Sequence, residues 1–200
     1  PPPVHGASMV NLSIKESEYI NSRIKSRYIN ISPSNKLSDL GKFSIRKMYS
    51  TAVIIFKCVK EFLRFKPDLV YITLSPHGSA FWKDAGILQL LKVLGAKAII
   101  HLHGKGVENV VKDNIIKKFI YQRVFMCVDV IHLSKNLFSD LSQVYDLSMS
   151  FYEVNNGVDD HTVEFVSHST IPVFLYLSNL VPTKGADIFI DAINLLGPDY

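Results

Sequence analysis

Two hydrophobic periods alternate along this chain, and that alternation constrains its fold more than any other feature. A continuous apolar run with Val, Tyr, Ile and Thr occurs at Leu69–Leu74, and Ala98–Leu102, Val128–Leu133 and Phe151–Val154 read as further strands. Between them lie helix-length stretches whose apolar residues recur every three or four positions. A strand that is apolar along its whole length has both faces covered, as in a parallel sheet. Strands alternating with amphipathic helices predict an α/β fold, a parallel sheet with helices on both faces.

The helices can be bounded by their punctuation. Gly6 to about Ser22 reads as a helix, Ser26–Ile31 as a short strand and Ser32–Gly41 as a loop. Ile45, Met48, Ala52, Ile55, Val59 and Phe62 form one face of a long helix, which Pro67 stops. Further helices are expected at Ala80–Leu94, closed by Gly95, at Asp113–Cys127, and from a Ser134 cap to about Leu147. The stretch Asp159–Thr170 is polar and weakly patterned. It divides the chain into a first domain at 1–160, a linker at 161–170 and a second region at 171–200. In that region the rhythm restarts with a strand at Val173–Leu177, a loop at Ser178–Thr183 and a helix at Lys184–Leu196. One strand and one helix cannot bury a core alone, so 171–200 reads as the truncated opening of a second domain.

Composition narrows the class. Hydrophobic residues at 48% and charged residues at 20% fit a globular α/β protein rather than a disordered one. Charge or glycine breaks every apolar run short of bilayer length. Cys58 and Cys127 are far apart in apolar surroundings and are expected to be buried thiols in a reducing compartment. A net charge of +4 permits anionic ligands without demanding them.

In an open parallel sheet, ligands sit beyond the carboxyl ends of the strands. Four segments can reach that edge. His5-Gly6 opens a helix, where free N–H groups suit a phosphate or sugar hydroxyl; the plainer reading is a tight turn. His101-Leu102-His103-Gly104-Lys105-Gly106 puts two histidines on one side of a strand. His103 falls at the strand end, able to donate to a sugar hydroxyl, while His101 reads more simply as a core histidine satisfied by backbone. Asn155-Asn156-Gly157 is a turn that tolerates positive φ, at the end of the first domain. Asn179 and Lys184-Gly185 flank a helix start, where a lysine can meet a diphosphate or simply be solvated.

Taken in order, these segments resemble the family-4 (group 1) retaining glycosyltransferases, which have the two-domain, Rossmann-like GT-B fold. The matching pieces are Pro1–Ser8, His103-Gly104, Ser134, Asn156–Asp159, Ser178-Asn179 and Lys184-Gly185 with the helix that follows. The resemblance implies a Rossmann-like acceptor-side domain, then the start of a similar nucleotide-sugar-binding domain. It implies transfer of a sugar from a nucleotide-diphosphate donor to an acceptor hydroxyl with retention, in bacterial surface polysaccharide or lipopolysaccharide synthesis. By this likeness His103 is the catalytic-site residue, contacting the transferred sugar. His5, Gly6, Gly104, Ser134, Asn156, Gly157, Asn179, Lys184 and Gly185 line the donor and acceptor sites. Lys184 would neutralise the leaving diphosphate, and no metal cofactor is expected. Asn179 stands where many relatives carry an arginine. The likeness also puts the first strand of the sheet upstream of Pro1 and a donor-binding glutamate pair beyond Tyr200, so this piece alone is expected to be inactive.

Two other classes compete. His101 and His103 could hold the metal of a hydrolase if further ligands converged, but His132 is expected inside its strand. A non-catalytic ligand-binding module is the other. No nucleic-acid partner is expected. The resemblance implies a cytoplasmic protein with a glycan or lipid-linked acceptor. Lys112, Lys117, Lys118 and Arg123, interleaved with Ile115, Ile116, Phe119 and Ile120, suit a peripheral contact with an anionic inner membrane face. Against that contact, the same apolar residues could be needed to cover the sheet.

Overall fold

A computed structural model describes residues 6–32, 45–145, 150–157, 173–178, 180 and 184–196. The chain divides into two compact units, Pro1–Gly157 and Val158–Tyr200, taken separately below.

The first unit is built on four parallel strands: β1 (Val70–Thr73), β2 (Ala98–Leu102), β3 (Asp129–His132) and β4 (Phe151–Glu153). They lie side by side in sequence order. The helices are α1 (Gly6–Glu16), α2 (Glu18–Asn21), α3 (Ile45–Phe65), α4 (Gly78–Val93), α5 (Val107–Val111) and α6 (Ile115–Phe125), with a 3-10 segment at Lys135–Leu141. This is the α/β class with an all-parallel, helix-flanked sheet, as the alternating periods predict.

Register decides what each face carries. Ile72 pairs with Ile100 and Ile100 with Val130. These three, with Leu74, Leu102 and His132, are buried. Strands added in one direction with right-handed crossovers put α4, α5, α6 and the 3-10 segment over this face. Across α4 and α6, the rings of Phe81 and Tyr121 stack at 3.9 Å and 5°. The Tyr121 hydroxyl donates to the Pro76 carbonyl at 3.1 Å, and burial pushes its pKa up to about 12.

The opposite face carries Tyr71, Thr73, Ile99, His101, Ile131 and Tyr152. It is more polar and more open: Tyr71 and Tyr152 are exposed. Helix α1 reaches it through Asn11, whose side-chain oxygen accepts from Thr73 Oγ1 at 2.9 Å.

Several elements depart from the sequence reading, each for a local reason. The first helix breaks at Ser17, whose hydroxyl accepts from the Ile20 amide at 3.3 Å and starts α2. Ser26–Ile31 is not a strand; it has no ladder partner among the described residues, and Ile29 and Ile31 pack against the core instead. The long helix α3 buries Ile54 and Cys58, with Ile55 and Phe62 beside them, while Met48 and Ala52 face outward. The buried stripe is therefore rotated from the expected one. The expected helix at Asp113–Cys127 begins at Ile115 and is preceded by the separate α5. Asn114 divides them, its side chain accepting from the Lys117 amide at 2.9 Å. Ser134 does act as a cap, but of a 3-10 segment rather than an α-helix. Cys58 is buried, whereas Cys127 is exposed at a positive φ of 56° in the turn before β3.

Gly95 closes α4 as expected, at φ 94°. Its amide bonds Lys92 O at 2.9 Å, and the Ala96 amide bonds Leu91 O at 3.0 Å, which is the Schellman pattern. No helix among the described residues is long and apolar enough to cross a membrane.

In the second unit, α7 (Ala186–Asn194) follows Gly185. Val173–Leu177, expected as a strand, has no ladder partner among the described residues.

Candidate functional site

The carboxyl ends of β1 and β2 carry the polar side chains of interest. Alternation along β2 places His101 and His103 on the open face, and their rings lie 4.0 Å apart at 34°. His101 is 2% exposed. Its Nδ1 lies 2.5 Å from the Tyr71 hydroxyl, which is also 3.4 Å from Asn11 Oδ1. Sequence reasoning offered a backbone partner for His101; the partner is a tyrosine side chain one strand away. Its Nε2 is buried without a partner among the described residues. Burial first, then the neighbouring His103 and His132, pushes the His101 pKa down to about 4. His101 is therefore neutral near pH 7.

His103 is partly buried at the strand end, and Gly104 follows it. The loop beyond is held by a residue that no motif singled out. The Asp140 carboxylate, 7% exposed, accepts from the amides of Gly106 at 2.9 Å, Val107 at 3.0 Å and Glu108 at 3.2 Å. The first amides of α5 are thus taken by an internal anion. Gly106 adopts φ 135°, and a Cβ there would come within 2.7 Å of the His77 ring. Only glycine fits. The loop after β1 is pinned in the same way, with Asp84 accepting from the Ser75 amide at 3.1 Å and pairing with Lys83.

The remaining candidates are scattered. Gly6 begins α1 and is exposed, while His5 lies outside the described residues. The Ser134 hydroxyl is engaged as a cap, accepting from the Asn136 amide at 3.3 Å. Asn156 and Gly157 are exposed beyond β4, and Gly157 does not adopt the positive φ its turn allowed. In the second unit, Gly185 takes φ 72° at the start of α7. Lys184 beside it is exposed, and its carbonyl accepts from the Tyr176 hydroxyl at 3.0 Å. Asn179 lies outside the described residues.

Sequence reasoning missed Asn11, Tyr71, His77 and Asp140. Alternation already put Tyr71 on the same side as Thr73, but only the sheet register brings it onto the face that carries His101. Asp140 is 34 residues from Gly106 and carries no local signal. A metal centre at His101 and His103 needs more ligands; no group of three His, Cys, Asp or Glu converges among the described residues. His132, as expected, is inside its strand and buried.

Two consequences can be measured. Asp140→Ala should destabilise the fold by about 2–3 kcal/mol, since three amides lose a charged acceptor. Hydrogen exchange should rise at Gly106, Val107 and Glu108 but not at Ser75; unchanged exchange at those three amides would refute the anchoring role. Stability should also depend on His101. Its folded pKa of about 4 lies below the ordinary 6.5. Between those values the unfolded chain binds a proton that the folded chain refuses. Stability is therefore lost as pH falls from about 6.5 towards 4, by up to about 3 kcal/mol. Burial also lowers the His132 pKa and acts in the same direction. Urea unfolding between pH 7 and pH 5 should show a shallower pH dependence in His101→Gln; parallel curves would contradict this.

No known protein-family profile matches the chain, and neither a characterised protein nor a solved structure matches it significantly.

Proposed function

We propose that the chain is the acceptor-side part of a retaining glycosyltransferase that uses a nucleotide-diphosphate sugar, together with the opening of the donor-binding domain. The observation that carries this reading is a His-Gly pair, His103-Gly104, at the carboxyl end of a strand in an all-parallel sheet. Polar side chains of Asn11, Tyr71 and His101 are gathered beside it. That edge is where open α/β sheets take their ligands. Lys184-Gly185 at the start of α7 supplies the kind of cation and helix terminus that suits a diphosphate.

In the proposed reaction the bond between the anomeric carbon and the diphosphate oxygen breaks. The acceptor oxygen bonds to that carbon on the same face and gives up its proton, and the diphosphate leaves with added negative charge. The His103 imidazole would hydrogen-bond the sugar near the reaction centre. Lys184 would offset charge on the leaving group. The products would be glycans of a bacterial surface polysaccharide or lipopolysaccharide.

In an enzyme carrying this chain, His103→Ala should lower turnover on the order of a hundredfold while circular dichroism and melting stay unchanged. The assay is release of nucleoside diphosphate from a panel of nucleotide sugars with a glycan acceptor. Failure of every donor to bind or react would remove the transferase reading.

A second element concerns location. Ile115, Ile116 and Phe119 are 77%, 69% and 69% exposed. The core side of α6 is supplied by Tyr121, Val124 and Phe125 instead. Three of the four apolar residues weighed as sheet cover are thus on the surface beside the exposed Lys112, Lys117 and Arg123, while Ile120 and Lys118 are half-buried. We infer that this face meets an anionic membrane surface, with each basic side chain contributing about 1 kcal/mol. Co-sedimentation with vesicles should rise with anionic lipid content, fall with salt, and be lost in Phe119→Glu. Binding indifferent to lipid charge, or none, would discard it.

A further inference from the structure

The side chains around His103 form a chain of contacts rather than a loose cluster. Asn11 Oδ1 accepts from Thr73 Oγ1 at 2.9 Å, which fixes the amide against the sheet. The Tyr71 hydroxyl sits between Asn11 Oδ1 at 3.4 Å and His101 Nδ1 at 2.5 Å. Asn11 Oδ1 can only accept, so the Tyr71 hydroxyl donates its one proton there. The hydroxyl oxygen then accepts from His101 Nδ1–H, which leaves the buried Nε2 unprotonated. Tyr71 meets the His101 ring edge-on, with centroids 5.8 Å apart at 77°. His103 packs near the same ring, with centroids 4.0 Å apart.

The His101 ring that faces His103 is 2% exposed and belongs to β2, which is paired on both sides.

We propose that Tyr71 and His101 are positioning residues for His103: the Tyr71 hydroxyl locks one tautomer and orientation of the His101 ring, and that ring sets the plane of the His103 imidazole. Burial supports this arrangement by keeping His101 neutral. The groups that act electrostatically on it are His103 and His132. The inference deepens the role given to His103 in sugar transfer, and its activity arm rests on that reading.

Tyr71→Phe tests it, because the substitution removes only the hydroxyl from a partly exposed ring. Long-range 1H–15N spectra of the imidazoles in the intact chain should show His101 in the single Nδ1–H tautomer. In Tyr71→Phe, His101 should become a mixture of tautomers and the His103 signals should shift or broaden, while the backbone amide spectrum stays native elsewhere. Unchanged His103 signals would overturn the proposal, as would His101 signals that ignore the loss of the hydroxyl. His101→Phe is the second variant. It keeps an aromatic ring beside His103 without the hydrogen bond, and should perturb His103 less than His101→Ala does; equal effects would also overturn it. In an enzyme carrying the chain, Tyr71→Phe should lower kcat on the order of tenfold with KM little changed. A rise in KM alone would count against positioning. If the His103 signals move as expected but no sugar is transferred by the unsubstituted enzyme, the positioning stands and the transferase reading falls.

Discussion

An in-register parallel ladder ties Ile72 to Ile100 and Ile100 to Val130, and the rest of the first unit depends on that row. Side chains alternate across a strand, so fixing one row apolar and buried fixes the next row on the opposite face. The buried row meets α4 and α6, where Phe81 and Tyr121 stack. The opposite row then presents Thr73 and His101, with Tyr71 one pair earlier and His103 beyond the strand end. A slip of one residue would bury Thr73 and expose Ile72. It would also dissolve the Tyr71–His101 contact, so packing and the candidate site share one constraint.

Two buried carboxylates extend that order into the loops. Backbone amides at the ends of β1 and β2 have no ladder to satisfy them, and burying them unpaired would be costly. Asp84 takes the Ser75 amide and Asp140 takes three amides from Gly106 to Glu108. Each anion is itself stabilised by the amides it satisfies, together with Lys83 for Asp84. The loops beside His103 are in this way bonded structure rather than slack chain. The packing of His77 against Gly106 joins the two loops.

The sequence-based expectations that differ from the structure share a cause. Single polar residues break elements the hydrophobic period alone would continue: Ser17 divides α1 from α2, and Asn114 divides α5 from α6. A side-chain acceptor at the right backbone angle competes with the next helical turn, and a three-to-four spacing does not register it. The segments Ser26–Ile31 and Val173–Leu177 have the composition of strands. A strand, however, is a paired object, and composition says nothing about a partner. Cys127 lies in an apolar stretch yet is exposed, because the turn between α6 and β3 swings it outward at positive φ.

By itself the sequence determined the four strands from β1 to β4, in outline the helices between them, and the parallel sheet. It also determined the Gly95 stop, the placing of His101 and His103 on one side of their strand, and the position of His103 at a strand end. All of these follow from periods and caps that span a few residues. Only the tertiary structure decided that Tyr71 holds His101 across a strand boundary and that Asp140 anchors a loop 34 residues away. It also decided that Ile115, Ile116 and Phe119 remain on the surface while Tyr121, Val124 and Phe125 turn inward. Those outcomes depend on register and on which face of a helix meets the sheet. Several local patterns on α6 are compatible with burial, and the core selects among them by the volume it has to fill.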